Sequence, residues 1–275
     1  MAEMDALLFI DTNIYLDFYR ERRSDLGLQF LEQVETCRDR LILGSQVEME
    51  YKKNRQRVIL EANQKFGDPN WNTLTPPTMV AEIQAAKMIR RHQDSIKKQT
   101  KKVSLKISKI LRNPNSNDLV YKRLSKVFCH NSKYNLDRES KDRKRIRRLA
   151  YKRFILGYPP RKKNDTSIGD AINWEWIIEC AIKSGKDIVI VSRDSDFGVI
   201  FENDSFLNDW LLQEFQQRVG KRRKIKLTGK LSEALKIIHA EVTREMEEED
   251  ELWLKSSFDE FKKKLEDEAS LQSEI

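Results

Sequence analysis

Leu7, Leu8, Phe9 and Ile10 form an unbroken apolar run bounded by polar residues, the pattern of a short parallel strand covered on both faces. The run Asp187 to Ser192 (DIVIVS) and the shorter Leu41 to Leu43 have the same character, and Lys224 to Leu227 gives a last strand. Helical periodicity lies between them. Ala171, Trp174, Ile178 and Ala181 recur at steps of three and four within Ser167 to Ile182, and Val47, Glu50, Tyr51 and Asn54 share one face of a helix after Leu41 to Leu43. Ala81, Ala85, Met88 and Ile89 lead on toward Ile96, Val103, Ile107 and Leu111, where Asn113-Pro114-Asn115 makes a turn. Leu119, Leu124, Val127 and Phe128 mark a second helix of this middle segment. Arg138 to Leu156 marks a third, stopped by Gly157 and Pro159-Pro160. Gly67 to Pro77, with Trp71, reads as a loop, Arg161 to Asp165 as a return segment and Glu202 to Asp204 as an acidic turn. Helices over Leu207 to Val219 and Lys230 to Ala240 complete an alternation of strands and helices, which predicts an α/β fold around a parallel sheet. The helices of 81–165 carry too few apolar residues for a core of their own, so they read as an insertion lying on that sheet.

Acids recur where such a sheet opens. Asp11 follows the first strand, where an acid either holds a cation at the carboxyl ends of the strands or caps the next helix, a role also open to Asn13. Asp170 stands four residues before Trp174 and seven before Ile177, at the start of the inward face. A carboxylate on a buried helix stripe is costly unless its charge is compensated, and a metal ion does that. Asp194 and Asp196 follow the second strand, and Glu50 is the inward acid of its helix, with Glu48 the outward one.

Four motifs, DTN (Asp11 to Asn13), ExxxNR (Glu50 to Arg55), GD (Gly169-Asp170) and SRDSDF (Ser192 to Phe197), together resemble a PIN domain. The chain is similar to PIN-like bacterial proteins with the motifs DTN, E(Y/F)xxNR, GDxxxW and SxDxDFG; Gly44 departs from the Pro that such relatives often carry. The resemblance implies a three-layer sandwich with a central parallel sheet over residues 1–240. It also implies a cluster of Asp11, Glu50, Asp170, Asp194 and Asp196 holding one or two Mg²⁺ or Mn²⁺ ions, and hydrolysis of phosphodiester bonds, in RNA more than in DNA. Thr12, Asn13 and Ser192 are candidates to orient the acids, and Asn54 and Arg55 to position Glu50 or a substrate phosphate. A toxin or phage-defence effector held inactive by a partner protein is one form of such a nuclease. The reading from another class is a non-catalytic nucleic-acid-binding module whose acids only stabilise the fold.

Composition bounds the rest. With 275 residues, 39% hydrophobic and 35% charged, and a mean hydropathy of −0.69, the chain buries one substantial core and keeps much polar surface. No apolar run approaches the roughly 20 residues of a membrane helix, and Glu3 and Asp5 stand where a basic leader would lie, so a cytoplasmic protein is expected. Cys37, Cys129 and Cys180 make neither a disulfide frame nor a zinc set; the Cys129-His130 pair has no second half, and Cys180 reads as core. His92 and His239 read as surface residues, and no Gly-rich loop supports nucleotide hydrolysis.

Charge is uneven. Residues 81–165 hold 26 Lys and Arg against 7 Asp and Glu, while 241–275 hold 5 against 13; removing that tail from the net +8 leaves +16 on residues 1–240. Such a surface gathers polyanions by counterion release, and nucleic acid is the natural partner. Lys97, Lys98, Lys101 and Lys102, and the run Arg143, Lys144, Arg145, Arg147 and Arg148, are the candidate phosphate contacts. Tyr151, Tyr158 and Trp71 lie near, where base stacking and packing are equally open. The acidic tail carries Leu254, Phe258, Phe261 and Leu265 at helical spacing. Docking across the basic face in competition with nucleic acid, an oligomer contact and a solubilising helix are its three readings.

Overall fold

A computed structural model of the chain describes residues 4–20, 24–66, 74–160, 167–201 and 204–254. Five strands form one sheet in which every neighbouring pair is parallel: β1 (Ala6–Ile10), β2 (Leu41–Gly44), β3 (Asn135–Leu136), β4 (Asp187–Val191) and β7 (Ile225–Thr228), ordered β3-β2-β1-β4-β7. A separate antiparallel hairpin joins β5 (Gly198–Phe201) to β6 (Asp204–Leu207). All five residues of β1 are buried, as a strand with helices on both faces requires. Its register against β4 runs from Ala6 opposite Asp187 to Ile10 opposite Val191, so Asp11 and Ser192 leave the sheet side by side.

The helices are α1 (Thr12–Leu16), α2 (Ser24–Thr36), α3 (Ser45–Phe66), α4 (Gln84–Arg112), α5 (Pro114–Asn117), α6 (Leu119–Phe128), α7 (Arg143–Leu156), α8 (Gly169–Ser184), α9 (Asp209–Arg218) and α10 (Leu231–Ile237). α8 lies over β2 and β4 with α3, α7 and α9 against it, and α10 covers β4 and β7 beside α2. Helices, sheet and helices make a three-layer sandwich. α8 is the central helix: Trp174, Ile177, Ile178, Cys180 and Ala181 are all buried. Buried Arg153 of α7, Glu175 of α8 and Arg218 and Glu214 of α9 interlock around it, with Arg153 Nε donating to Glu175 Oε1 at 2.9 Å and Arg218 Nη2 to Glu175 Oε2 at 2.8 Å. Among the described residues no helix is long and apolar enough to cross a membrane.

The segment 81–165 divides in two. α4 carries ten Lys and Arg against one Asp and buries only Ala86. In contrast, Leu124, Val127, Phe128, Tyr134, Leu136, Ile146 and Ala150 belong to the main core, and β3 is an edge strand of the sheet. α7 begins at Arg143 rather than Arg138 because the preceding residues pair with Leu43 and Gly44 and then turn, the Asp137 carboxylate accepting from Glu139 N at 2.9 Å. Asn113 to Asn115 opens the one-turn helix α5 with Pro114 in its first turn, where the missing N–H has no partner to lose. The hairpin has no counterpart in the sequence reading. Gly198 permits it, since a Cβ there would lie 2.0 Å from the Phe206 carbonyl oxygen. Residues 244–254 are helical, with Met246, Asp250 and Leu254 buried at steps of four. Trp71, the return segment 161–165, residues 202–203 and the apolar positions Phe258, Phe261 and Leu265 lie outside the described residues.

Candidate active site

The carboxyl ends of β1 and β4 deliver Asp11 and Ser192 to one point, and the hydrogen bonds there are built around the Asp11 carboxylate. Oδ1 accepts from Thr12 N at 2.6 Å, and Oδ2 accepts from Ser192 Oγ at 2.6 Å and Asn13 Nδ2 at 3.0 Å. Asp11 is therefore the N-cap of α1 and a buried acid of the sheet's mouth at once. Burial pushes its carboxyl up to about 7. Ser192 and the Thr12 N–H act against that rise, while the negative charges of Asp194 and Glu50 add to it.

Glu50 enters from α3. Its Oε2 accepts from Thr12 Oγ1 at 3.1 Å and its Oε1 from Gln46 Nε2, one turn earlier, at 2.6 Å. Asn54 holds the backbone rather than the carboxylate, donating to the Glu50 carbonyl at 3.0 Å. The N-terminus of α8 meets this carboxylate at Gly169, where a Cβ would lie 2.2 Å from Glu50 Oε1 and 2.8 Å from Gln46 Nε2. Glycine is what lets α8 approach so closely, and Asp170, the next residue, stands half-buried in its first turn. Glu48 points away and pairs with Lys52 at 2.6 Å.

Past β4, Ser192 Oγ accepts from Asp194 N at 3.1 Å, which ties the loop carrying Asp194 and buried Asp196 to the hydroxyl that holds Asp11. Among the described residues no three Asp, Glu, His or Cys side chains form a ready metal-ligand group. The oxygens of Asp11 and Glu50 are turned to hydroxyl and amide donors, which offset part of their negative charge. The donor chemistry fits a hard divalent cation, because the acids offer only oxygen. Asn13 Oδ1 is buried beside them with no hydrogen-bond partner, and the charged form of Asp11 is disfavoured until a cation compensates it.

Arg55 has a different setting from the one its motif suggests. Buried, it donates through Nη2 and Nε to Asp118 Oδ2 at 2.5 and 3.0 Å and to the Ile110 carbonyl at 3.1 Å, binding α3 to the start of α6. Lys97, Lys98 and Lys101 are exposed along α4 with Lys102. On α7, Lys144, Arg147 and Arg148 are exposed, Arg143 is half-buried with Nη1 donating to the Arg138 carbonyl at 3.1 Å, and Arg145 is taken up by Glu179 at 2.6 Å. Cys180 is buried, Cys129 exposed, and His130 pairs with Asp39 at 2.7 Å. Gln46 and the spatial role of Gly169 escaped the sequence reading; the signal for Gln46 was its place one helical turn before Glu50 on the same face.

No curated protein and no solved structure matches the chain. A family model described as PIN domain matches residues 8–197, a span that starts within β1 and ends at Phe197, beyond the last of the clustered acids. PIN domains are in general nucleases acting on nucleic acid, typically with divalent metals. With more than half of its residues inside that match and its acids brought to the carboxyl edge of a parallel sheet, the chain belongs to the PIN domain family.

Proposed function

We propose that the chain is a divalent-metal-dependent endoribonuclease whose centre is Asp11, Glu50, Asp170 and Asp194, with Asp196 at its margin. The observation that carries this reading is the meeting of separate chain segments around the carboxylates of Asp11 and Glu50. Thr12 and Ser192 bridge Asp11 to Glu50 and to the Asp194 loop, and Gly169 admits the Asp170 helix end. The five acids would hold one or two Mg²⁺ or Mn²⁺ ions, which when bound supply Lewis-acid stabilisation of charge on a phosphodiester. Ser192 Oγ and Asn13 Nδ2 orient Asp11, and Thr12 Oγ1 and Gln46 Nε2 orient Glu50, so each acid keeps a fixed direction while its charge is crowded. The exposed Lys of α4 and the Arg of α7 draw the substrate backbone to this mouth. RNA is the favoured substrate by the family resemblance, and a role as a toxin or defence effector under a partner protein fits the same chemistry.

A non-catalytic nucleic-acid-binding module is the second reading, favoured by one observation: among the described residues no three Asp, Glu, His or Cys side chains form a ready metal-ligand group. The test is incubation of the purified chain with labelled single-stranded RNA, single-stranded DNA and duplexes, in Mn²⁺ or in EDTA. Cleavage of RNA in Mn²⁺ that stops in EDTA and in Asp170→Asn is expected. Tight binding with no cleavage under any of these conditions selects the module instead.

A further inference from the structure

One turn back along α3 from Glu50, a cleft of about 300 Å³ opens among β2, β3 and the first turns of α7 and α8. It shares a wall with the acidic centre, because Gln46, which lines it, is the residue that donates to Glu50 Oε1 at 2.6 Å. Its apolar lining includes Leu43, Leu136 and Trp176, and three arginines, Arg138, Arg143 and Arg147, also line it. Asn173 also lines it, one helical turn after Asp170 on the same helix. That side chain is only 4% exposed, and its Nδ2 has no hydrogen-bond partner. Its helical neighbours Trp174, Ile177 and Ile178 are apolar, and Leu fills a similar volume without an amide to satisfy. An unmet buried donor at such a position leaves room for an acceptor that arrives with a ligand.

The lining states the ligand's chemistry. An anion suits the three arginines, a flat apolar body suits the wall, and an acceptor suits Asn173. A nucleotide has all three. The volume sits at the low end of small-ligand sites, enough for one nucleotide and too small for stacked pairs, so the base entering must be unpaired. We infer that this cleft is a nucleotide subsite beside the acidic centre, taking one unpaired base of the strand against Asn173 with its phosphate on the arginines, and making the protein base-selective on single strands. The inference rests on the nuclease reading for what strand passes there, but binding without metal tests it separately from cleavage.

The experiment is fluorescence anisotropy in EDTA with the full chain and four labelled RNA hexamers, one for each base, with a cleavage assay in Mn²⁺ run alongside. One hexamer is expected to bind about tenfold more tightly than the weakest, as a single well-placed base contact allows. Asn173→Leu should keep its melting temperature or raise it, and level the four affinities. Arg147→Gln should weaken all four and lower the log–log salt slope by about 0.7. Equal affinity of the wild type for all four hexamers, or a base preference that survives in Asn173→Leu, overturns the subsite. Should that variant fail to fold, Met49→Glu at an exposed lining position decides instead. It is expected to weaken the preferred hexamer about tenfold and the least preferred under twofold, and equal weakening of both overturns the proposal. A base preference in EDTA without cleavage in Mn²⁺ supports the subsite while removing the nuclease reading.

Discussion

Gly169 shows how much one missing methyl group arranges. A Cβ at 2.2 Å from Glu50 Oε1 is impossible, yet the obstacle is the end of a flexible side chain, so Ala is accommodated by turning Glu50 aside. Ala also reduces the freedom of the unfolded chain, a gain of about 0.4–1 kcal/mol where the backbone tolerates it. Gly169→Ala is therefore expected to melt at or above the wild-type temperature and to cleave at least tenfold more slowly in Mn²⁺, a pairing that a purely structural glycine does not give. Glu48→Gln, whose carboxylate pairs with Lys52, is the silent control. Asp11 gives a pH signature. Its folded carboxyl is pushed up to about 7, chiefly by burial, against 3.8 for the free group. Its contribution to stability is thus fully present below about 3.8 and is lost as pH rises through about 7. Metal-free Asp11→Asn should gain on the wild type by roughly 2–3 kcal/mol between pH 5 and pH 8, read from denaturant midpoints. Mn²⁺ at pH 8 should restore the wild type and leave the variant unmoved. A pH-independent gap between the two proteins would mean that Asp11 titrates as an ordinary surface acid.

At the scale of elements, apolar runs made β1, β4 and α8 legible, because a strand or helix buried on several sides leaves no choice of side chain. The acids at their ends were legible for the complementary reason that a charge at such a place needs compensation. β3 was not, since two residues carry no period, and the hairpin of β5 and β6 was hidden because it keeps Val199, Phe201 and Phe206 exposed and alternation gives no inward face. Arg55 was misplaced by its motif neighbour: Asn54 and Arg55 are one residue apart and so about 100° apart around α3, one beside the Glu50 backbone and the other facing α6. That difference is testable. Arg55→Met leaves buried Asp118 without its ion-pair partner, although Tyr19 Oη and Tyr121 N still donate to it, which should cost about 3 kcal/mol of stability, while cleavage per folded molecule stays near the wild-type rate. A stable variant with a lost chemical step would instead put Arg55 at the site. For α4, neutralising Lys97, Lys98, Lys101 and Lys102 should lower the salt slope of single-strand binding by about 0.7 for each contact removed, with no change in the rate at saturation. An unchanged slope would leave that helix a solvated face.

At the scale of the whole molecule the charge is divided, +16 on residues 1–240 and −8 on residues 241–275, and the described part of the acidic segment is packed on the body. Asp250 is fully buried and its Oδ2 accepts from Ser232 N at 2.7 Å, capping α10, whose own N-cap Lys230 makes no side-chain cap bond. The other oxygen of Asp250 lies 3.9 Å from Arg193, which also pairs with Asp17, donates to the Gly229 carbonyl at 3.1 Å and lies over the Trp253 ring. Leu254 covers Gly229, where a Cβ would come within 2.9 Å of it. Arg193 is the residue before Asp194, so this contact fixes the loop of the acidic centre from behind. The flanking pairs Lys230–Glu251 at 3.3 Å and Lys236–Glu247 at 2.5 Å are more exposed, and pairs of that kind contribute about 0–1 kcal/mol. Asp250→Leu should then lower stability by about 1–3 kcal/mol, the cost of an unmet buried donor, and the loss should persist at high salt because the contact is not open to screening. Lys230→Gln and Lys236→Gln should be nearly silent, and cleavage by Asp250→Leu should fall while its affinity for nucleic acid stays level. Competition by the tail predicts the reverse: an unchanged melting temperature with tighter binding of nucleic acid at low salt that fades as salt is added. Melting curves and titrations of these three variants at low and high ionic strength therefore decide whether the helix at 244–254 braces the loop of Asp194 or shields the basic face.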